Sequence, residues 1–115
     1  MRHDDRVYAA HMLEFAKKAY ARVDGRERGE LDGNEDLQLQ LYALIERIGE
    51  AASHVSAAFR AEHPEMPWKV IIGMRHKLIH DYFEIDLDLV WKAAKVDAPR
   101  LIELLQPLTP PEWRG

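Results

Sequence analysis

An arginine and a histidine stand five positions apart near the middle of the chain, at Arg75 and His80. An arginine can hold two oxygens of a phosphate through parallel hydrogen bonds. A histidine titrates near neutral pH and can take or give a proton. Together they suffice for RNA cleavage without a metal. The histidine removes the 2′-hydroxyl proton or protonates the leaving oxygen, and the arginine stabilises the charge on phosphorus.

The spacing of this pair restricts how one copy of the chain can use it. Five residues of an α-helix turn about 140° and rise about 7.5 Å. Arg75 and His80 therefore do not share one face of a continuous helix. Either the helix ends between them, or two copies of the stretch meet in a dimer and assemble the site.

The surrounding stretch, residues 66–80, carries Lys69, Arg75 and Lys77 and no acid. We expect Lys69, His76 and Lys77 to support contacts with phosphate or RNA. A basic end of a helix, favoured by the helix dipole, would explain the same composition without a function. Tyr82 is either a half-buried aromatic at the helix exit or a hydroxyl that positions a phosphate or accepts a modification.

A second set of polar residues, Glu46, Glu50 and His54, has the four-residue spacing of helix-borne metal ligands. No motif elsewhere completes a four-ligand set, so we interpret these residues as a solvated helix face and expect no metal and no cofactor. Trp68 and Trp91 are interpreted as core or dimer contacts.

Composition limits the protein classes further. The 115 residues are 47% hydrophobic and 31% charged, which predicts one globular domain. There is no cysteine, which excludes disulfides and thiolate zinc sites, and no apolar run long enough for a membrane span. The net charge of −4 argues against a duplex DNA binder. We expect a cytoplasmic protein.

The first half of the chain predicts two helices. One begins at Asp4 or Asp5 and ends near Val23, because apolar residues recur there at spacings of three and four. A glycine-rich, charged loop covers residues 24–34. Asn34 then caps the longest helix, predicted over residues 35–61, in which Gly49 is expected to permit a close helix approach.

The second half predicts two more helices. His63-Pro64 ends the long helix, and Pro67 begins the next one. Asp86 caps the last helix, which Pro99 should kink or split near Asp97. We predict an all-α, up-and-down bundle of four main helices over residues 1–108, followed by a proline-rich tail at 109–115. Its wide apolar faces leave a patch for a second copy.

These motifs together resemble a known family. The pattern R-x4-H-x-Y at Arg75, His80 and Tyr82 is similar to the signature of HEPN-domain proteins, specifically the HepT-like (DUF86) group. Further segments of similarity are Asp4-Asp5-Arg6, Ile48-Gly49-Glu50-Ala51-Ala52, His63-Pro64 through Pro67-Trp68, Gly73-Met74-Arg75, and Asp86-Leu87 through Val90-Trp91. One position departs from the pattern, because His76 stands where asparagine is common.

The resemblance implies a helical homodimer with two R-x4-H motifs in one cleft. It implies a metal-independent RNA endonuclease that acts as the toxin of a toxin–antitoxin pair. Arg75 and His80 would be catalytic. The partner would be an MNT-type nucleotidyltransferase that silences the nuclease by attaching AMP to Tyr82.

Two other functions fit the same residues. The basic stretch could hold a nucleotide or dock a nucleotidyltransferase without catalysis. The chain could also be a purely structural helical dimer, which would leave the polar cluster around Arg75 without a reason.

Overall fold

The fold is a bundle of helices joined by short turns. A computed structural model describes residues 3–80 and 84–110, without the side chains of His3, Asp4 and His80. The elements are α1 (His3–Val23), a 3₁₀ turn (Arg28–Leu31), α2 (Glu35–Ser53), α3 (Ala57–Glu62), α4 (Trp68–Met74), β1 (Ile79–His80), β2 (Glu84–Ile85), α5 (Leu87–Lys92), a π-helical turn (Ala93–Asp97), α6 (Ala98–Leu105) and a final 3₁₀ turn (Gln106–Leu108). The predicted all-α class is confirmed.

Helix α1 is the centre of the packing, because it lies against both α2 and α6. Its buried face and that of α2 follow the predicted helical period. The core has two parts. The first is built around Met12, Leu13, Ile48, Phe59 and Trp68. The second contains Leu31, Leu41, Leu78 and Val90.

The predicted long helix over residues 35–61 is wrong, because the chain leaves the helix after Ser53 and re-enters it at Ala57. Arg60 Nη2 donates to the carbonyls of Ala52 and Ser53, which satisfies the end of α2. The Ser56 hydroxyl caps α3 by accepting from the amide of Phe59.

A buried carboxylate fixes this break. Asp5, only 3% exposed, accepts from the Ser56 amide at 2.8 Å and from the Ser56 hydroxyl at 2.8 Å. Periodicity alone could not reveal the break, because Val55 within it and Phe59 after it are both buried, at the four-residue spacing of a continuous helix.

Helix α4 is anchored at its start by Trp68, which is buried and donates from its indole nitrogen to the carbonyl of His63 at 2.9 Å. It then crosses α2 at Gly49, as the sequence predicted. A Cβ at Gly49 would lie 2.6 Å from Cγ and 2.8 Å from Cδ of Arg75, and 3.1 Å from the carbonyl oxygen of Ile71. Only a glycine at this position leaves room for the approach.

Helix α4 ends at Met74, with Arg75 as its capping residue. The amides of His76 and Lys77 donate to the carbonyls of Gly73 and Met74, which tightens the last turn. Leu78 lies beyond the helix but is fully buried. A two-residue antiparallel pairing follows, with Ile79 opposite Ile85 and His80 opposite Glu84.

The last helix is capped as predicted, since the Asp86 side chain accepts from the amide of Leu89 at 3.1 Å. It does not run regularly. The π-helical turn Ala93–Asp97 lies directly before Pro99, which occupies the first turn of α6. This confirms the predicted irregularity near Asp97, because a proline inside a helix removes one backbone hydrogen bond.

Arg28 joins the loop between α1 and α2 to α5 through hydrogen bonds to two aspartates. Arg28 Nη1 donates to Asp32 Oδ1 at 2.7 Å, and Nη2 donates to Asp88 Oδ1 at 2.8 Å. Both hydrogen bonds raise the pKa of Arg28, and the one to Asp32 has the larger effect.

Replacing Asp5 tests the helix break. Asp5→Ala leaves two donors of Ser56 without their partner, so we expect a loss of about 1–3 kcal/mol in the free energy of unfolding. Urea denaturation followed by circular dichroism measures it. Glu14→Ala, on the exposed face of the same helix, is the control and should change stability by less than about 0.5 kcal/mol. Equal stabilities of the two variants would contradict the assigned role of Asp5.

Alanine substitutions at two glycines in neighbouring helices should change the stability of the protein in opposite directions. A Cβ added at Gly73 would meet no other part of the described chain within 4 Å, so Gly73→Ala should stabilise the protein by about 0.5–1 kcal/mol. Gly49→Ala gains the same propensity but overpacks the α2–α4 contact, which costs about 1–3 kcal/mol. We therefore expect a net loss in thermal denaturation. A Gly49→Ala variant as stable as Gly73→Ala would show that α4 can move away freely.

Candidate functional site

The predicted site lies where α4 ends against α2. Arg75 caps α4, and the aliphatic part of its side chain runs over the backbone of Gly49. Its Nη2 lies 2.8 Å from Oε1 of Glu50, and its Nε is buried without a hydrogen-bond partner among the described residues. The side chain is still 31% exposed, so the exposed part lies mainly at the Nη end of the guanidinium. An anion can reach this end of Arg75 from solvent.

Glu50 connects Arg75 to a histidine. Its second carboxylate oxygen, Oε2, lies 2.9 Å from Nε2 of His54, one turn later on α2. The His54 ring stacks on the ring of Tyr8 in α1, with 5.0 Å between centroids and 21° between planes. Arg75, Glu50, His54 and Tyr8 therefore form a continuous chain of contacts across α4, α2 and α1.

The residues expected to support contacts with phosphate or RNA are all on the surface. Lys69, His76 and Lys77 are exposed. Lys77 also borders a groove of about 280 Å³ between α2, α4 and the α5–α6 segment, whose lining includes Ile45, Val70 and Met74. Val70, in the lining of this groove, is 63% exposed.

The structure places the backbone of His80 in β1, opposite Glu84. Because α4 ends at Met74 and Arg75 is its capping residue, no continuous helix joins Arg75 to His80, in line with the first of the two alternatives left by the spacing. The side chain of His80 and the whole of Tyr82 lie outside the described residues. The catalytic assignments of Arg75 and His80 and the modification of Tyr82 therefore stay predictions.

The contact between Glu50 and Arg75 was missed by the sequence reasoning. The spacing of Glu50 and His54 correctly indicated that they share a helix face, and Gly49 indicated a close approach. Neither signal identified the residue that approaches. Among the side chains that the structure describes, no three of the His, Cys, Asp and Glu type come close enough together to hold a metal ion.

Trp68 is a core residue, as interpreted, and its ring contacts Phe59 edge-on at 6.3 Å. Trp91 is partly buried against the second part of the core, with Lys95 Nζ 5.7 Å from its ring centroid. Within residues 3–80 and 84–110, no helix combines the length and hydropathy required to cross a bilayer.

Comparison with known proteins agrees with the family resemblance. The model of the family described as "Ribonuclease HepT-like" matches residues 12–108. A protein of Methanocaldococcus jannaschii named "Putative RNase MJ1380" is 33% identical over 98 residues, covering 85% of this chain and 90% of the relative.

Two further relatives extend the comparison. One from Caldanaerobacter subterraneus, named "Putative RNase TTE0752", is 33% identical over 96 residues, covering 84% of this chain and 86% of the relative. One from Thermococcus cleftensis, named "Probable ribonuclease HepT", is 42% identical over 64 residues, covering 56% of this chain and 58% of the relative. No solved structure matches the chain. With a family match over most of its length and a helical fold that agrees with it, the chain belongs to the HepT-like ribonuclease family.

Proposed function

We propose that this chain is a metal-independent RNA endonuclease whose catalytic residues are Arg75 and His80. The observation that carries the proposal is the position of Arg75. Its guanidinium is held partly buried at the end of α4 and keeps an exposed end, and the next two residues of the chain, His76 and Lys77, are exposed. The names of the relatives as ribonucleases support RNA as the substrate class.

In this mechanism His80 moves the proton and Arg75 stabilises charge. His80 takes the proton of the 2′-hydroxyl, whose oxygen attacks the adjacent phosphorus and forms a 2′,3′-cyclic phosphate. The bond to the 5′-oxygen breaks, and a protonated histidine supplies the proton to that leaving oxygen. Arg75 stabilises the extra negative charge on the phosphoryl oxygens in the transition state. The reaction needs no metal ion, oxidant or cofactor.

Base and acid are needed in the same turnover, and the motif supplies one histidine per chain. We therefore propose a homodimer in which two motifs face one cleft, so that one His80 acts as base and the other as acid. The apolar groove beside α4 supports this proposal. Its lining includes the exposed Val70 and the partly buried Met74, which directly precedes Arg75 in the chain, and a second copy would cover this apolar surface.

We further propose that the chain is the toxin of a pair with an MNT-type nucleotidyltransferase, acting on RNA in the cytoplasm. AMP attached to Tyr82 would add bulk and negative charge close to Arg75 along the chain. Both would oppose the binding of an RNA phosphate. The support for this regulation is family membership and the match of Tyr82 to the motif tyrosine.

The nuclease mechanism predicts the effect of removing either catalytic residue. Arg75→Ala should lower kcat/KM for a single-stranded RNA about a hundredfold or more, because charge in the transition state loses its stabiliser. His80→Ala should have an effect of about the same size, because proton transfer is lost. A fluorescent RNA cleavage assay measures both, and circular dichroism verifies folding.

Arg22→Ala, at the far end of α1, is the matched cation control and should cleave like wild type. Cleavage should persist in EDTA, and inhibition by EDTA would refute the metal-free mechanism. If a folded wild type cleaves no RNA but still binds nucleotide through Arg75, the chain is the non-catalytic binding module instead.

Regulation through Tyr82 predicts a separate outcome. Incubation with the partner nucleotidyltransferase and ATP should add the mass of AMP to the wild type and abolish RNA cleavage. Tyr82→Phe should remain active and unmodified under the same conditions, because it lacks the acceptor hydroxyl. Tyr42→Phe serves as a control that is modified like wild type. AMP found on Tyr82→Phe by mass spectrometry would place the acceptor elsewhere.

A further inference from the structure

The contacts of Arg75 include two polar residues that lie outside the R-x4-H motif. Glu50 touches Arg75 with one carboxylate oxygen and His54 with the other, at 2.8 Å and 2.9 Å. We propose that Glu50 and His54 are positioning residues, which hold the guanidinium of Arg75 in the orientation that phosphoryl chemistry requires. This inference rests on the proposed nuclease function and deepens it.

The guanidinium needs such a partner because the packing of Arg75 fixes only half of the side chain. Gly49 lies directly beneath Cγ and Cδ, so these carbons cannot move toward α2. Rotation about the last bonds of the side chain is not fixed by that contact. The Glu50 carboxylate at Nη2 sets this rotation and turns Nε toward the protein, where it is buried. The Nη end then faces solvent in one orientation.

Glu50 is itself held from the opposite side. An exposed glutamate on a helix samples several rotamers, and a contact with one mobile partner would not orient Arg75. Nε2 of His54 lies 2.9 Å from Oε2 of Glu50, and stacking on Tyr8 restricts the rotation of the His54 ring. The carboxylate is thus placed between a cation anchored in α4 and a ring anchored on α1.

Stability alone gives a weak reason for this arrangement. The side chains of Glu50 and His54 are 50% and 51% exposed, and exposed ion pairs contribute little to folding. A carboxylate beside Arg75 also weakens the attraction of the site for a phosphate. Glu50 should therefore make ground-state binding of RNA slightly weaker, while orienting Arg75 for the transition state.

Because Glu50 is expected to weaken RNA binding while it orients Arg75, its positioning role predicts different effects on kcat and on KM. Glu50→Ala should lower kcat about ten- to a hundredfold, because a misdirected catalytic group costs rate, while KM stays unchanged or falls. Glu50→Gln should lose less, because its amide oxygen can still lie against Nη2 of Arg75. Glu46→Ala, one turn earlier on α2, is the matched control and should leave both constants as in wild type.

His54 allows a second test by conservative rescue. His54→Ala should lower kcat severalfold. His54→Gln should restore most of the loss, because its amide nitrogen can donate to Glu50 from nearly the position of Nε2. The pH profile of kcat should keep both limbs in His54→Gln. If that variant is as impaired as His54→Ala and one limb disappears, His54 transfers a proton itself and the positioning role is overturned.

A readout that needs no activity separates this inference from the proposed function. The Nε–H resonance of Arg75, assigned by its loss in Arg75→Lys, should be sharp in wild type and Glu46→Ala, and shifted or broadened in Glu50→Ala. If wild type cleaves no RNA, the nuclease proposal fails while this resonance still tests the contact. If wild type cleaves RNA and Glu50→Ala matches it in kcat and in the resonance, the positioning role fails and the nuclease proposal stands.

Discussion

The close crossing of α4 over α2 at Gly49 is the contact on which the candidate site depends. Because Gly49 has no side chain, Cγ and Cδ of Arg75 can lie where a Cβ would otherwise be. This brings the guanidinium within 2.8 Å of Glu50, the residue that follows Gly49. The absence of a side chain at Gly49 thus determines both the packing of a short helix and the position of Arg75. Any larger residue would have to displace Arg75 or the backbone at Ile71.

A seven-residue helix such as α4 is too short to be stable alone, so its position must come from tertiary contacts. Trp68 supplies the contact at its first residue, Ile71 the one in its middle, and buried Leu78 the one beyond its end. Arg75 lies between the last two anchors. Arg75 is therefore fixed on both sides along the chain, while the outer surface of α4 and the groove beside it stay exposed.

The break between α2 and α3 has a related consequence. The chain leaves α2 directly after the turn that carries Glu50 and His54, so His54 caps the end of that helix. The buried Asp5 of α1 accepts hydrogen bonds from Ser56, two residues after His54. Tyr8, on the same helix as Asp5, stacks on the ring of His54. Helix α1 thus fixes both the break and the histidine. A continuous helix over residues 35–61 would have carried His54 in mid-helix, without the hydrogen bonds that end α2 here.

The sequence by itself determined the features that depend on near neighbours in the chain. Apolar spacing identified α1 and the buried face of α2, Asn34 and Asp86 identified two helix starts, and Pro99 identified the irregular last helix. The R-x4-H-x-Y pattern, together with the similar segments before and after it, indicated the family. Each of these signals involves residues that are close together in the chain, because the helical period and helix capping depend on local sequence. The tertiary structure alone decided the break at Ser56, the end of α4 at Met74 and the pairing of Glu50 with Arg75. The break depends on Asp5 and Ser56, the pairing on Glu50 and Arg75, and the chain after α4 on its pairing with β2. These partners are distant in the chain, and the local sequence does not say which of several residues of the same chemical type will meet until the helices pack.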